Sequence, residues 1–283
     1  MTDFPHVEGV EHRFVEAGGV RLHVAEAGEG RPLLLVHGWP QHWYEWRGVV
    51  GELAAERRLI MPDLRGFGWS DVPAGPIGPE AFVGDLLALL DALELERVDV
   101  AGHDWGGFSS LLLSARHPSR VRRLLAISTP HPWLRVTPRL GLELWRAWYA
   151  GLFAAGLMQR DGGRLASWFM RREGMPDPEV EAFVARLREP ASAAATTRLY
   201  RAYLRTLAAT ARGDATPEPR SAVPTLLMIG ARDAAVTPKL AAGFERAGDD
   251  MRVEIVPGAG HFLCDTHPHL VAARVRSHLA DPD

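Results

Sequence analysis

The stretch Gly102-His103-Asp104-Trp105-Gly106-Gly107 is where the sequence first offers chemistry. A short apolar run at 98–101 precedes it, and a helical pattern begins near Gly106. Small residues two before and two and three after a central residue permit a sharp strand-to-helix turn and a close approach of helix to strand. Asp104 occupies the apex of that turn. Its carboxylate then faces the positive end of the following helix, which favours the ionised form. An ionised carboxylate can attack carbon and form an ester. The plainer alternative is an Asp that only caps the helix; the glycine pattern favours the nucleophile.

A nucleophile at such a turn needs a base and an orienting acid, in the chain order nucleophile, acid, histidine. Asp233 follows an apolar run at 225–229 and the turn Gly230-Ala231-Arg232; His261 follows residues 252–256 and the turn Pro257-Gly258-Ala259-Gly260. Both fall just beyond strand C-terminal ends, where open parallel sheets collect their sites. Singly they read as a turn residue and a surface histidine; with Asp104 they read as a triad. Asp265 is the weaker rival acid, too near His261 in sequence to arrive from another strand. A third element, His37-Gly38-Trp39-Pro40, follows the apolar run 33–36. The amides of Trp105 and Trp39 are the expected oxyanion hole. Trp39 precedes a proline, so a cis bond is accessible there. His37 and His103 are expected to be structural, sharing hydrogen bonds beneath the site.

Positioning these groups requires a sheet. Strands are expected at 20–25, 33–36, 59–61, 98–101 and 121–127, with helices at 43–55, 80–93 and 106–117. Alternation of this kind implies right-handed crossovers and a parallel sheet. From about 133 to 219 the pattern is helical with no convincing strand. The alternation then resumes, with strands at 225–229 and 252–256 and helices at 239–246 and 269–279. The expected organisation is an α/β core in two pieces, 1–132 and 220–283, with a helical cap at 133–219 inserted over the sheet.

The chain has 283 residues, 47% hydrophobic and 24% charged, which is ample for a core and excludes a disordered chain. A net charge of −3 gives no basic excess for nucleic acid or anionic lipid. One cysteine, Cys264, excludes an internal disulfide and a multi-thiolate zinc site; it reads as a buried thiol. Residues 1–10 carry Asp3 and Glu8 and no apolar run, so no signal peptide is expected there. The longest uncharged stretches have 13 residues, short of the ~18 needed to span a bilayer. The expectation is a soluble cytoplasmic protein, monomer or homodimer.

His37-Gly38-Trp39-Pro40, Asp63-Leu64-Arg65-Gly66-Phe67-Gly68-Trp69-Ser70-Asp71, the Asp104 turn, Asp233 and His261 together resemble the α/β-hydrolase superfamily, and within it the epoxide hydrolases. Haloalkane dehalogenases are near relatives. The resemblance covers nearly the whole chain. It implies a mostly parallel central sheet flanked by helices, an inserted helical lid, and two lid tyrosines that donate hydrogen bonds to the epoxide oxygen. Ring opening creates an alkoxide, which a neutral phenol can bind and protonate. Tyr149, in Trp148-Tyr149-Ala150-Gly151, resembles the first lid tyrosine, and Tyr200, followed by Arg201, the second; Tyr203 is the reserve. Residues 63–71 read as architecture, and Arg65 and Asp71 carry little catalytic weight. The chain departs from the family where Ala150 and Ala154 follow the first tyrosine in place of a glutamine, and where Phe262 follows the histidine in place of a tryptophan. All nine tryptophans precede residue 170, and Trp39, Trp105, Trp133, Trp145, Trp148 and Trp168 fall in or near the site and lid. Trp39, Trp105, Tyr149, Tyr200 and Phe262 are the expected substrate-binding residues, suited to an apolar or aryl epoxide.

The implied reaction is attack of Asp104 on the epoxide, then hydrolysis of the ester by water that His261 deprotonates. No metal or organic cofactor is required. A neutral histidine is the active form, so activity should fall as pH drops through about 6.5 unless the pKa is shifted. Dehalogenation through the same ester is the alternative, with the Trp105 indole as halide donor. A non-catalytic binding module on a hydrolase scaffold is the reading from a different class.

Overall fold

The computed structural model describes residues 4–134, 148–212, 214 and 216–280. Eight strands form one sheet: β1 (Glu11–Ala17), β2 (Val20–Ala27), β3 (Arg31–Val36), β4 (Arg57–Pro62), β5 (Val98–His103), β6 (Val121–Ile127), β7 (Thr225–Gly230) and β8 (Met251–Val256). Their order is β1-β2-β4-β3-β5-β6-β7-β8. The pairings β1–β2 and β2–β4 are antiparallel and every later pairing is parallel. The α/β-hydrolase type of sheet expected from the sequence is the one observed.

β1 was not anticipated. Its residues are mostly exposed, so no apolar alternation marks it. It is held by its hairpin: Ala17 pairs with Val20 across Gly18-Gly19, whose φ values of 59° and 79° suit the tight turn that matches strand twist. In β3 and β5, by contrast, almost every side chain is buried, because helices cover both faces. Leu34 and Val36 face one core layer and Leu33 and Leu35 the other. The first layer packs under α2 (Pro79–Ala92) and α3 (Asp104–Arg116). The second packs against α1 (Arg47–Leu53), preceded by the 3₁₀ turn Trp43–Trp46, whose tryptophans are fully buried there. Each such side chain contributes about 1.5–3 kcal/mol by leaving water.

Between β6 and β7 lie five described helices: α4 (Trp148–Ala154), α5 (Leu157–Asp161), α6 (Arg164–Arg172), α7 (Asp177–Leu187) and α8 (Pro190–Arg212). After β8 come α9 (Leu263–Thr266) and α10 (Pro268–His278), and α10 packs against α1. Two expected helices differ. The segment 43–55 begins as a 3₁₀ turn, and 239–246 is two 3₁₀ turns, Pro238–Ala241 and Phe244–Arg246, parted by Gly243 at φ 83°. A left-handed glycine interrupts the helical hydrogen-bond ladder, which residue periodicity does not register. Among the described residues no helix is long and apolar enough to cross a membrane.

Candidate active site

Asp104 is the first residue of α3, two residues earlier than periodicity placed the helix start. Its φ is 46°, a left-handed conformation that costs a non-glycine residue of order 1–3 kcal/mol. The surrounding glycines show what holds it. A Cβ on Gly106 would stand 2.2 Å from the Val36 carbonyl, one on Gly102 2.8 Å from the Gly106 carbonyl, and one on Gly38 2.5 Å from the Asp104 Cβ. Helix, strand and the early loop thus meet at backbone contact, and Asp104 is pushed forward into the site.

Asp104 Oδ2 accepts the Trp39 amide at 2.9 Å, and the neighbouring Trp105 amide also favours the ionised carboxylate. The Trp39–Pro40 bond is cis. The two amides nominated as an oxyanion hole therefore both lie at the Asp104 carboxylate. Burial lifts the Asp104 pKa, against the opposing pull of His261, His103 and these amides. The helix start alone had argued for a more acidic group; desolvation outweighs it.

His261 Nδ1 lies 2.9 Å from Asp233 Oδ2, and its Nε2 3.9 Å from Asp104 Oδ1. Asp233 is fixed by its other oxygen, which accepts the amides of Ala235 at 2.9 Å and Val236 at 2.7 Å. Burial would lower the His261 pKa, but the charge and hydrogen bond of Asp233, then Asp104 and Glu173, raise it to about 10. Asp265, the rival acid, is bonded instead to Gln41 and Arg47.

The supporting residues form a buried layer. His103 contacts Glu45 Oε2 at 3.2 Å and the His261 carbonyl at 3.1 Å, so its ring ties the two loops from below. His37 accepts the Leu64 amide at 2.9 Å. Asp63 accepts the amides of Trp43 and Trp69, while Arg65 pairs with Asp85 and Asp71 with Arg21. Glu45, His103 and Cys264 are the one group of metal-capable side chains that lie together among the described residues, all buried. Both His103 nitrogens are already engaged there.

Above Asp104 is a cavity of about 290 Å³. Trp39, Asp104, Tyr149, Tyr200, His261 and Phe262 all line it, with Trp148 and Trp168 at about half exposure. Tyr149 comes from α4 and Tyr200 from α8, helices that pack together, and their rings meet edge to face at 6.2 Å. Burial and the nearby Asp104 push both phenols well above their ordinary pKa, with Tyr200 also raised by Tyr149, so both stay neutral. Trp105, expected among the substrate-binding residues, is not part of the cavity lining: its ring packs against Tyr200 and Tyr203, and Tyr203 also lies outside the lining. The Trp39 indole donates to Thr196 Oγ1 at 3.1 Å, and the Trp105 ring meets the Tyr200 ring edge to face at 6.1 Å. Trp133 is elsewhere, bonded to the Pro219 carbonyl, and Trp145 lies outside the described residues.

Sequence reasoning missed Glu173, which also lines the cavity and accepts the backbone N–H of His261. It stands in Arg171-Arg172-Glu173-Gly174, which reads as a solvated charge run and carries no local signal.

Similar proteins are known. Epoxide hydrolase 2 of Siraitia grosvenorii is 40% identical over 125 residues, 43% of this chain and 40% of that protein. The 2-hydroxy-6-oxo-2,4-heptadienoate hydrolase of Pseudomonas putida is 45% identical over 117 residues, 40% of this chain and 42% of that protein. Each match spans about two fifths of the relative's own length. A crystal structure of an epoxide hydrolase from Vigna radiata has a TM-score of 0.77 at 24% identity, covering 96% of this chain and 98% of its own, a likeness of fold. Residues 31–268, most of the sequence, match the family described as the alpha/beta hydrolase fold, and the chain belongs to that family.

Proposed function

We propose that this protein is an epoxide hydrolase that converts an apolar or aryl epoxide and water to a vicinal diol through an ester on Asp104. The observation that carries the reading is the placement of two buried, neutral phenols, Tyr149 and Tyr200, over the Asp104 carboxylate in one aromatic-walled cavity.

Asp104 Oδ1 attacks a ring carbon, and the C–O bond of the epoxide breaks. A phenol stabilises the oxygen and gives it a proton. Asp104 is now a hydroxyalkyl ester whose carbonyl oxygen, Oδ2, already accepts the Trp39 amide, with the Trp105 amide beside it. His261, oriented by Asp233, takes a proton from water, and the water oxygen adds to the ester carbon. The same two amides hold the oxyanion as the diol departs. Of the two protons of the water, one leaves on the diol and one restores the tyrosine.

Dehalogenation is the second reading. Its halide donor would be the Trp105 indole; Trp39 stands where those relatives place a second donor, and its indole N–H is already bonded to Thr196. That favours epoxide over halide.

Intact-mass spectrometry of His261→Gln tests the reading, with styrene oxide, an alkyl epoxide and a 1-haloalkane offered separately. Without the base the ester should persist. A gain of one whole epoxide, absent from Asp104→Ala, is expected. A gain of haloalkane minus hydrogen halide would replace the proposal by dehalogenation, and no adduct from any of them would overturn it.

A further inference from the structure

Glu173, at the C-terminal end of α6, joins the cap to the loop that carries the histidine. Its Oε2 accepts the backbone N–H of His261 and, at 3.3 Å, that of Phe262. Two further features converge on this contact. A Cβ on Gly260 would lie 2.1 Å from Glu173 Oε2, and the three atoms nearest to it all belong to the Glu173 carboxylate. Gly260 is not in the left-handed region, so glycine there makes room for the carboxylate and serves no backbone need. Phe262, the other amide donor, is buried among the cap residues Met170, Met175 and Phe183. The carboxylate is therefore seated between cap and core, half-buried and on the cavity that holds Asp104.

We propose that Glu173 is a positioning residue for His261: it fixes the histidine's backbone from the cap side and supplies negative charge that balances the imidazolium during ester hydrolysis. This rests on the Asp104-ester reading above. The charged and titratable groups facing His261 are Asp233 after β7, Asp104 on α3, His103 on β5 and Glu173 from the cap. Once Asp104 is an uncharged ester, Asp233 and Glu173 are the carboxylates that remain among these. Glu173 adds to the upward shift of the His261 pKa, in agreement with that role.

The test is rapid-quench intact-mass kinetics of the full chain with styrene oxide, between about pH 6 and pH 10. The variants are Glu173→Gln, Gly260→Ala and the double. Glu173→Gln keeps the shape and removes the charge; Gly260→Ala keeps the charge and displaces it. Ester formation should stay within about twofold of wild type while ester hydrolysis slows roughly tenfold, so that ester accumulates. The acid limb of hydrolysis should move toward lower pH by about one unit in Glu173→Gln, since the imidazolium has lost a counter-charge. The double variant should be no slower than Glu173→Gln, because both changes remove one contact. Unchanged hydrolysis and an unmoved acid limb in Glu173→Gln would overturn the proposal, as would an equal slowing of both steps. If His261→Gln forms no adduct in the same assay, the ester reading itself fails and takes this proposal with it.

Discussion

Among the described residues two buried Asp–His pairs lie at hydrogen-bond distance, and their surroundings differ. Asp63 meets His23 Nδ1 at 2.7 Å, and Asp233 meets His261 Nδ1 at 2.9 Å. The carboxylates are similarly anchored: Asp63 holds the amides of Trp43 and Trp69, Asp233 those of Ala235 and Val236. The difference is at the second ring nitrogen. His23 Nε2 faces His12 at 3.1 Å, with Phe4 stacked on its ring and Phe14 and Trp69 packed at an angle. His261 Nε2 faces Asp104 across a cavity. Burial would raise Asp63, but His23, with His42 and His37, pulls it well below the ordinary carboxylate range. The same pairing thus stands once among packed loops and once beside a cavity. Hydrogen-bond geometry alone does not separate the two; the nearness of a second carboxylate, Asp104, and of open space does.

That contrast can be broken most sharply at Asp104. Asp104→Ala should lower turnover of a responsive epoxide by at least about 10³-fold, because the covalent route is lost, while thermal unfolding remains cooperative. Steady-state assay beside a melting curve checks it. Next come the phenols. Tyr149→Phe and Tyr200→Phe should each slow ester formation by roughly 10–100-fold, as lost hydrogen bonds to a developing alkoxide, and Tyr203→Phe by less than about threefold. Single-turnover rates decide this, and an effect at Tyr203 larger than at Tyr200 would exchange their roles.

The protonation of His261 sharpens the comparison further. The base is active when neutral, so a pKa raised toward 10 moves the acid limb of kcat upward from the 6.5 expected of an ordinary histidine. Esterification neutralises Asp104 and brings the value part of the way back, so the limb should lie between those limits. In the free protein, Asp104→Asn should lower the His261 pKa by roughly one unit in an NMR titration. The linkage sign follows: this raised histidine contributes stability fully present below about pH 6.5 and lost as pH climbs through about 10. The smallest effect on chemistry is expected at the other pair. Asp63→Asn should cost about 2–4 kcal/mol in denaturant unfolding, since buried partners are left unpaired, yet leave turnover per folded molecule within about twofold.

Much of the site was legible because it is locally encoded. The glycines around Asp104 announce a turn that only a close helix–strand approach requires, and the side chains absent at Gly38 and Gly106 are those that would strike Asp104 and the Val36 carbonyl. Asp233 and His261 were legible through their positions after parallel strands. β1 was not, since an exposed edge strand buries little and leaves no alternation. Nor was the break in 239–246, where Gly243 overrides the periodicity. The residue order could nominate the Trp105 indole as a halide donor; it could not reveal that Thr196 had already taken the Trp39 N–H that would stand opposite.

By itself the sequence determined the alternation of strands and helices, the sharp turn at Asp104 and the order of the groups that follow it. These depend on residues within a few positions of one another, where backbone sterics and burial periodicity act directly. Tertiary structure alone decided which tyrosines share a cavity with Asp104, which indoles are engaged and where the His261 pKa lies. It also decided that a cap glutamate from a charged run would grip the histidine loop. Such outcomes depend on desolvation and on charges brought together from 88 positions apart, and neither leaves a trace in local spacing.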